Sequence, residues 1–202
     1  TIGAVTVTGA TGDVLVQNVG AGNLSSTGVI STQGGNITVK SLSNLSIGAA
    51  VTVSASTGTV SLTSDSDGDN TGSFAQTAGT ISTNNGAIAI TNGNATTGTG
   101  NVLLGAVTDT GGAGITVISR AGSILENASS SSLLTSAGTI SLFAGNNTPG
   151  TSSVGTLTDA INTQGGTLTA KSGTGGVYID EADGATIGAV TVTGATGDVL
   201  VQ

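Results

Sequence analysis

Residues 28–41 read GVISTQGGNITVKS, which is two short alternating segments on either side of a Gly-Gly pair. Ile37 and Val39 alternate with polar residues after the glycines, and Ile30 lies seven positions before Ile37. Alternation with period two predicts β-strands with one buried face. Glycine suits a tight corner because it adopts positive φ without a steric penalty. The stretch therefore predicts a strand, a glycine-containing corner and a second strand.

The same pattern, a glycine two residues before an aliphatic residue, recurs along the chain at intervals of 21–23 residues. An extra copy at Gly86 interrupts the early series, and the spacing is irregular between Gly122 and Gly175. A period of about 20–23 residues with short strands is typical of a β-solenoid. The regular copies are at Gly12, Gly35, Gly58, Gly79, Gly100, Gly122, Gly175 and Gly197.

A second, longer repeat is present. Residues 1–17 read TIGAVTVTGATGDVLVQ, and residues 186–202 read the same. We interpret residues 1–202 as one continuous solenoid segment, in which residues 1–185 are one tandem unit and 186–202 begin the next identical unit. The period predicts eight or nine coils per 185-residue unit, or roughly 40 Å at the spacing of neighbouring strands. Gly12 and Gly197 are then expected at equivalent positions, with neighbouring copies of the repeat as end-to-end partners.

Three segments carry a resemblance to a known family. GVISTQGGNITVKS (28–41), GTISTNNGAIAITN (79–92) and DAINTQGGTLTAKS (159–172) share an I-[SN]-T-x-[GN]-G-x-[IL]-[TA] turn. In this turn the chain resembles filamentous-haemagglutinin-type large bacterial exoproteins. The resemblance implies an all-β, right-handed parallel β-helix, and a secreted bacterial protein at the cell surface or outside the cell.

Composition narrows the possible functions. The chain has three Lys and Arg against eleven Asp and Glu, a net charge of −8, and no His or Cys. Binding to nucleic acid or to an anionic membrane surface needs a basic surface, which argues against both partners. No apolar run approaches the about 20 residues that span a bilayer, so membrane insertion is not expected. The usual neutral-pH general base and the thiolate nucleophile are missing, and we predict no enzyme, no catalytic residue and no organic cofactor.

Asp65, Asp67 and Asp69 form the densest acidic cluster, in SDSDGDN (64–70). Alternating carboxylates in a glycine-containing loop can converge on Ca²⁺, which takes six to eight oxygen ligands. The EF-hand spacing is not met, because Gly68 is in the fourth position of the loop and not the sixth. Calcium at these three aspartates is the metal prediction, and a solvated acidic loop is the alternative.

Asp180, Glu181 and Asp183 form a second acidic cluster. Paired carboxylates are typical of glycosidases. Sugar-cleaving sites also need cationic or aromatic groups, and this region offers only Tyr178 and a distant Lys171. An acidic coil corner is the favoured interpretation.

The function predicted from these observations is a structural repeat module of an extracellular fibre, stalk or surface filament. The alternative is an adhesin whose lateral solenoid face binds a glycan or another cell. Only three aromatic residues occur in 202, which disfavours a glycan-binding face. The loops at Ser64–Ser73 and Ala144–Ser153 are predicted to project, and lateral self-association through them is a further expectation.

Overall fold

The computed structural model of the protein describes residues 1–55, 57–69, 71–94, 100–127, 133–145 and 150–202. These residues contain twenty β-strands and no helix. The strand ladders between successive turns are parallel. The chain is therefore a parallel β-helix, as the repeat of short alternating segments predicted.

Each of the first five coils contributes three strands. They are β1 (Val5–Val7), β2 (Val14–Gln17) and β3 (Leu24–Ser26); β4 (Ile30–Thr32), β5 (Ile37–Lys40) and β6 (Leu45–Ile47); β7 (Val51–Val53), β8 (Val60–Ser64) and β9 (Phe74–Gln76); β10 (Ile81–Thr83), β11 (Ile88–Asn92) and β12 (Val102–Leu104); β13 (Val107–Asp109), β14 (Ile115–Ser119) and β15 (Ile124–Glu126).

Five strands form the remainder of the solenoid. They are β16 (Leu134–Ala144), β17 (Ile161–Ser172), β18 (Val177–Glu181), β19 (Thr186–Val192) and β20 (Val199–Val201). The strands β16 and β17 are the longest of the twenty.

The strands stack into three walls. Wall A runs through β1, β4, β7, β10 and β13, wall B through β2, β5, β8, β11 and β14, and wall C through β3, β6, β9, β12 and β15. The strands β16 and β17 each continue around the corner from wall A to wall B. Val154 and Val177 extend wall C by isolated bridges, and β18 continues from there into wall A.

The core is a set of aliphatic columns inside the three walls. Most strands alternate buried and half-buried residues, because successive side chains point to opposite faces. On wall B, inward residues in register in successive turns are similar in size, so they pack directly on one another. Val16 is only partly buried, because β2 is covered by a neighbouring turn on one side alone. The other seven residues predicted to face inward are all buried: Val14, Ile37, Val39, Val60, Leu62, Ile140 and Leu142.

The corner between walls A and B is lined by stacked glycines. A Cβ on Gly35 would overlap the carbonyl oxygen of Gly12, and one on Gly86 would overlap that of Gly58. Backbone therefore packs on backbone at this corner, and no side chain fits. Gly86, which interrupts the regular spacing in the sequence, belongs to this column.

The number of turns is lower than predicted. From wall B strand to wall B strand, register partners lie 19 to 28 positions apart, and the solenoid makes about seven turns. The regular glycine series explains the overestimate of eight or nine. Gly58 precedes a wall B strand, Gly79 a wall A strand and Gly100 a wall C strand. The interval from Gly58 to Gly79 and the interval from Gly79 to Gly100 therefore each cover only two thirds of a turn.

The expected equivalence of Gly12 and Gly197 is wrong. Gly12 lies between β1 on wall A and β2 on wall B. Gly197 lies between β19, which pairs with the wall B part of β17, and β20, which pairs with β18. The variable length of the turns means that 185 residues do not correspond to a whole number of them.

The two predicted projecting loops project only in part. In the first, Ser64 and Asp65 are buried, whereas Asp67 and Asp69 are exposed. In the second, Ala144, Ser152 and Ser153 are buried and Gly150 and Thr151 are exposed. Residues 146–149, with the only proline of the chain, lie outside the described residues.

Replacing Val39 with Asp should lower the free energy of unfolding by more than about 3 kcal/mol, because a charge would enter a column without a partner. Thr38→Asp is the matched control, since Thr38 is next to Val39 on β5 but faces outward. This control should change stability by less than about 1 kcal/mol. Urea denaturation followed by far-ultraviolet circular dichroism measures both. Equal stability of the two variants would show that the inward face is wrongly assigned.

Replacing Gly86 with Ala should also destabilise the solenoid, by about 1–3 kcal/mol, because the new methyl group meets the backbone of Gly58. Gly9→Ala is the control, because a Cβ on Gly9 has no atom within 4 Å. Its melting temperature should match that of the wild type or exceed it slightly, since alanine restricts the unfolded chain. Equal melting temperatures of the two variants would show that Gly86 does not pack on the backbone of Gly58.

Candidate functional site

The structure brings the three predicted metal ligands together. One carboxylate oxygen from each of Asp65, Asp67 and Asp69 lies within 4.8 Å of the others. Asp65 is buried and has a positive φ of 51°, while the other two are exposed. The loop is tied to its neighbours by the backbone N–H of Asp65, which donates to the carbonyl oxygen of Ser43 at 2.9 Å.

Thr71 stabilises the charged form of Asp69. Its hydroxyl and its backbone N–H donate to Oδ1 of Asp69 at 2.6 and 3.0 Å. These hydrogen bonds hold the pKa of the Asp69 carboxyl below its ordinary value of 3.8. Because the folded pKa is lowered, Asp69 favours the folded state above that ordinary value, and the contribution is lost as the pH falls further.

The geometry of this cluster is compatible with a calcium ion. Calcium–oxygen distances are about 2.3–2.6 Å, so two ligands of one ion lie no more than about 5 Å apart. The three carboxylate oxygens meet that limit. They supply three of the six to eight oxygens that Ca²⁺ requires. Calcium at this loop therefore stays a prediction, for which the structure supplies three converging carboxylates.

The second acidic cluster does not converge in the same way. Glu181 accepts a hydrogen bond from the hydroxyl of Thr163 at 2.6 Å, and Asp180 accepts one from the side-chain amide of Gln202 at 2.9 Å. Neighbouring residues of a strand point to opposite faces, which separates Asp180 from Glu181. The carboxylates thus stabilise contacts between turns.

A shallow groove of about 570 Å³ lies over the corner between walls A and B. Its titratable side chains are Asp109 and Asp183. Asp109 is buried, and its carboxylate accepts hydrogen bonds from the backbone N–H groups of Gly111 and Gly114 at 3.1 and 2.7 Å and from the hydroxyl of Ser136 at 3.0 Å. This carboxylate therefore satisfies backbone N–H groups at a corner of the solenoid.

Polar ladders along the corners are features that the sequence analysis missed. The side-chain oxygen of Asp13 accepts from the backbone N–H of Asn36 at 2.7 Å, and that of Asn36 accepts from the backbone N–H of Thr59 at 2.9 Å. A second ladder joins Asn23 to Asn44 at 2.8 Å. Their signal in the sequence is a polar residue just before the first aliphatic residue of a strand.

The aromatic residues, all three of which the structure describes, form no exposed platform. Phe74 is fully buried, and Phe143 and Tyr178 are half-buried. A glycan-binding face of stacked rings is therefore not supported on these residues, and the adhesin alternative stays a prediction.

Taken together, the fold and the clusters define a β-solenoid in which most of the buried polar side chains that the structure describes bond to the solenoid's own backbone. Comparisons with known proteins found no matching family model, no matching curated protein and no matching solved structure. The resemblance to filamentous-haemagglutinin-type exoproteins remains a prediction from the sequence. Within the described ranges, the chain has no helix that is long and apolar enough to cross a membrane.

If the aspartate loop binds calcium, isothermal titration of the wild type should show one site with a Kd of about 10⁻⁴–10⁻³ M, as in extracellular calcium modules. Changing Asp67 and Asp69 to Asn should weaken binding at least about tenfold, because two anionic ligands are removed. The control is Asp183→Asn, an exposed acid outside the cluster. Indistinguishable heats for the double variant and the wild type would identify the loop as a solvated acidic loop.

Proposed function

We propose that the protein is a non-catalytic structural repeat module of an extracellular fibre, stalk or surface filament. The observation that carries this proposal is the uninterrupted pairing of strands from turn to turn on walls A and B. Each inner strand of these walls bonds to the turn before it and the turn after it. A structure of this kind grows in one direction by adding turns, which is what a rod or stalk requires.

The outermost strands of the described solenoid carry unpaired edges. In the described sheets, β1 and β2 each have a partner on one side only, as do β19 and β20, whereas the outer side of β3 is bonded by Ile2. Unpaired strand edges favour pairing with further strands. The apolar side chains of Ile187, Val199 and Leu200 are exposed at one of these ends. A further copy of the repeat would cover them.

The described carboxylates support a mechanical role over a catalytic one. Asp109, Asp180 and Glu181 accept hydrogen bonds from residues of other turns or of the same corner. The sequence has no histidine or cysteine to act as a general base or nucleophile. An extracellular bacterial location is part of the proposal and rests on the resemblance of residues 28–41, 79–92 and 159–172 to secreted exoproteins.

Lateral association of rods is a second element of the proposal. The net charge of −8 makes neighbouring rods repel unless cations intervene. Asp67 and Asp69 are exposed on the loop after β8, where a divalent cation could bridge two rods or order the loop.

Chains of one, two and three 185-residue repeats should form rods whose length increases by about 35 Å per repeat, from about seven turns at the strand spacing. Small-angle X-ray scattering gives the maximum dimension and the constant cross-section. A chain in which each repeat folds as a separate bead would show variable spacing and a larger cross-section, and would contradict the rod. Antibody labelling of intact cells tests the surface location independently of the rod.

A further inference from the structure

The two copies of the 17-residue segment lie on different walls. In the first copy, Thr6 of β1 is in register with Ser31 of β4 on wall A. In the second copy, the corresponding residue Thr191 is in register with Lys171 of β17 on wall B. The last strand segment on wall A is Ile179–Glu181 of β18, and it lies seven turns after β1. The next strand, β19, lies on the following wall, wall B.

We infer that the 185-residue repeat spans seven turns plus one wall, so that each copy in a tandem array is rotated by about a third of a turn relative to the preceding copy. The inference rests on the proposed function, since it concerns an array. The partner in this array is a second copy of the chain. It would follow Gln202 with the sequence that follows Gln17 here, beginning with the equivalent of Asn18.

The three walls are similar enough for one segment to occupy any of them. Strands on walls A, B and C share a buried, half-buried, buried pattern over three residues. On its strands the segment 1–17 turns valines inward and turns Thr6, Leu15 and Gln17 outward, and none of these strand residues is charged. Neither copy therefore contains a side chain that fits one wall alone.

The free edges of β19 and β20 show where the next copy binds. In the first copy, the corresponding edges of β1 and β2 are occupied by β4 and β5, in the register Val5 with Ile30 and Val14 with Ile37. In an array, the next copy's equivalents of β4 and β5 would pair with β19 and β20.

Two aliphatic positions differ in burial between the two copies. Val14 has 5% of its surface exposed, whereas the corresponding Val199 has 52%. Ile2 has 9% exposed and the corresponding Ile187 has 50%. The first copy has turns only after it and the second only before it, so each copy is covered on one side. Turns added by a second copy of the chain would stack on the uncovered edges of β19 and β20.

Rotation by one wall has a geometric consequence for the array. Three successive repeats would make about 22 turns and bring the fourth repeat back into the orientation of the first, after about 105 Å at the strand spacing. The aspartate loop of Asp65, Asp67 and Asp69 would then point in three directions around the rod. A lateral contact made by this loop would be available on three sides.

Engineered disulfides test on which wall the second copy lies. The sequence has no native cysteine that could form a competing disulfide. Lys171→Cys with Thr191→Cys joins neighbours in register on wall B and should oxidise, because parallel neighbours lie within disulfide distance. Asp180→Cys with Thr191→Cys would join neighbours only if the second copy lay on wall A, and should stay reduced. Thr6→Cys with Ser31→Cys is the positive control, since these hydroxyls lie 3.3 Å apart.

Oxidation of the Asp180 pair, or failure of the Lys171 pair when the control pair oxidises, would overturn the inference. The second test uses an array of at least four repeats, imaged by cryo-electron microscopy. The expected symmetry is a rotation of about a third of a turn per repeat with a rise of about 35 Å. A straight rod with no rotation between repeats overturns the inference and leaves the rod function intact, whereas a chain of separate beads overturns both.

Discussion

Backbone hydrogen bonds between successive turns are the constraint on which the rest of this structure depends. They hold neighbouring strands at about 4.8 Å, and every other feature must fit that spacing. Most inward side chains are aliphatic and stack on aliphatic side chains of the neighbouring turns. Corners must also repeat at this distance, so glycines lie directly on the backbone of the preceding corner.

The same constraint explains where the polar residues lie. A corner frees backbone groups that no strand partner satisfies, and unsatisfied buried groups are costly. The hydroxyl of Thr32 donates to the carbonyl oxygen of Gly35 at 2.6 Å, and that of Thr83 donates to Gly86 in the same way. Buried Ser, Thr, Asn and Asp residues are thus structural parts of the corners.

The sequence was sufficient to predict the class of fold and most of the core, because alternation and corner glycines are local signals. It was not sufficient for the number of turns. Gly58, Gly79 and Gly100 carry the same local pattern at three different corners, and only the strand register tells them apart. The aspartate cluster was recognisable because its three carboxylates lie within five residues. The bond between Asp13 and Asn36 joins residues 23 positions apart, so it becomes visible only once the register is known.

The presence of one 17-residue sequence on two different walls has a consequence for how such a chain can change over generations. In most folds, a duplication must copy a whole structural unit, because each segment is specific for one environment. Here a recombination event between similar DNA segments could add or remove a part of a turn, and the strands beyond it would still find aliphatic columns and glycine corners to stack upon. Gene length in such a lineage is therefore free to vary by increments that do not match the geometry of the solenoid.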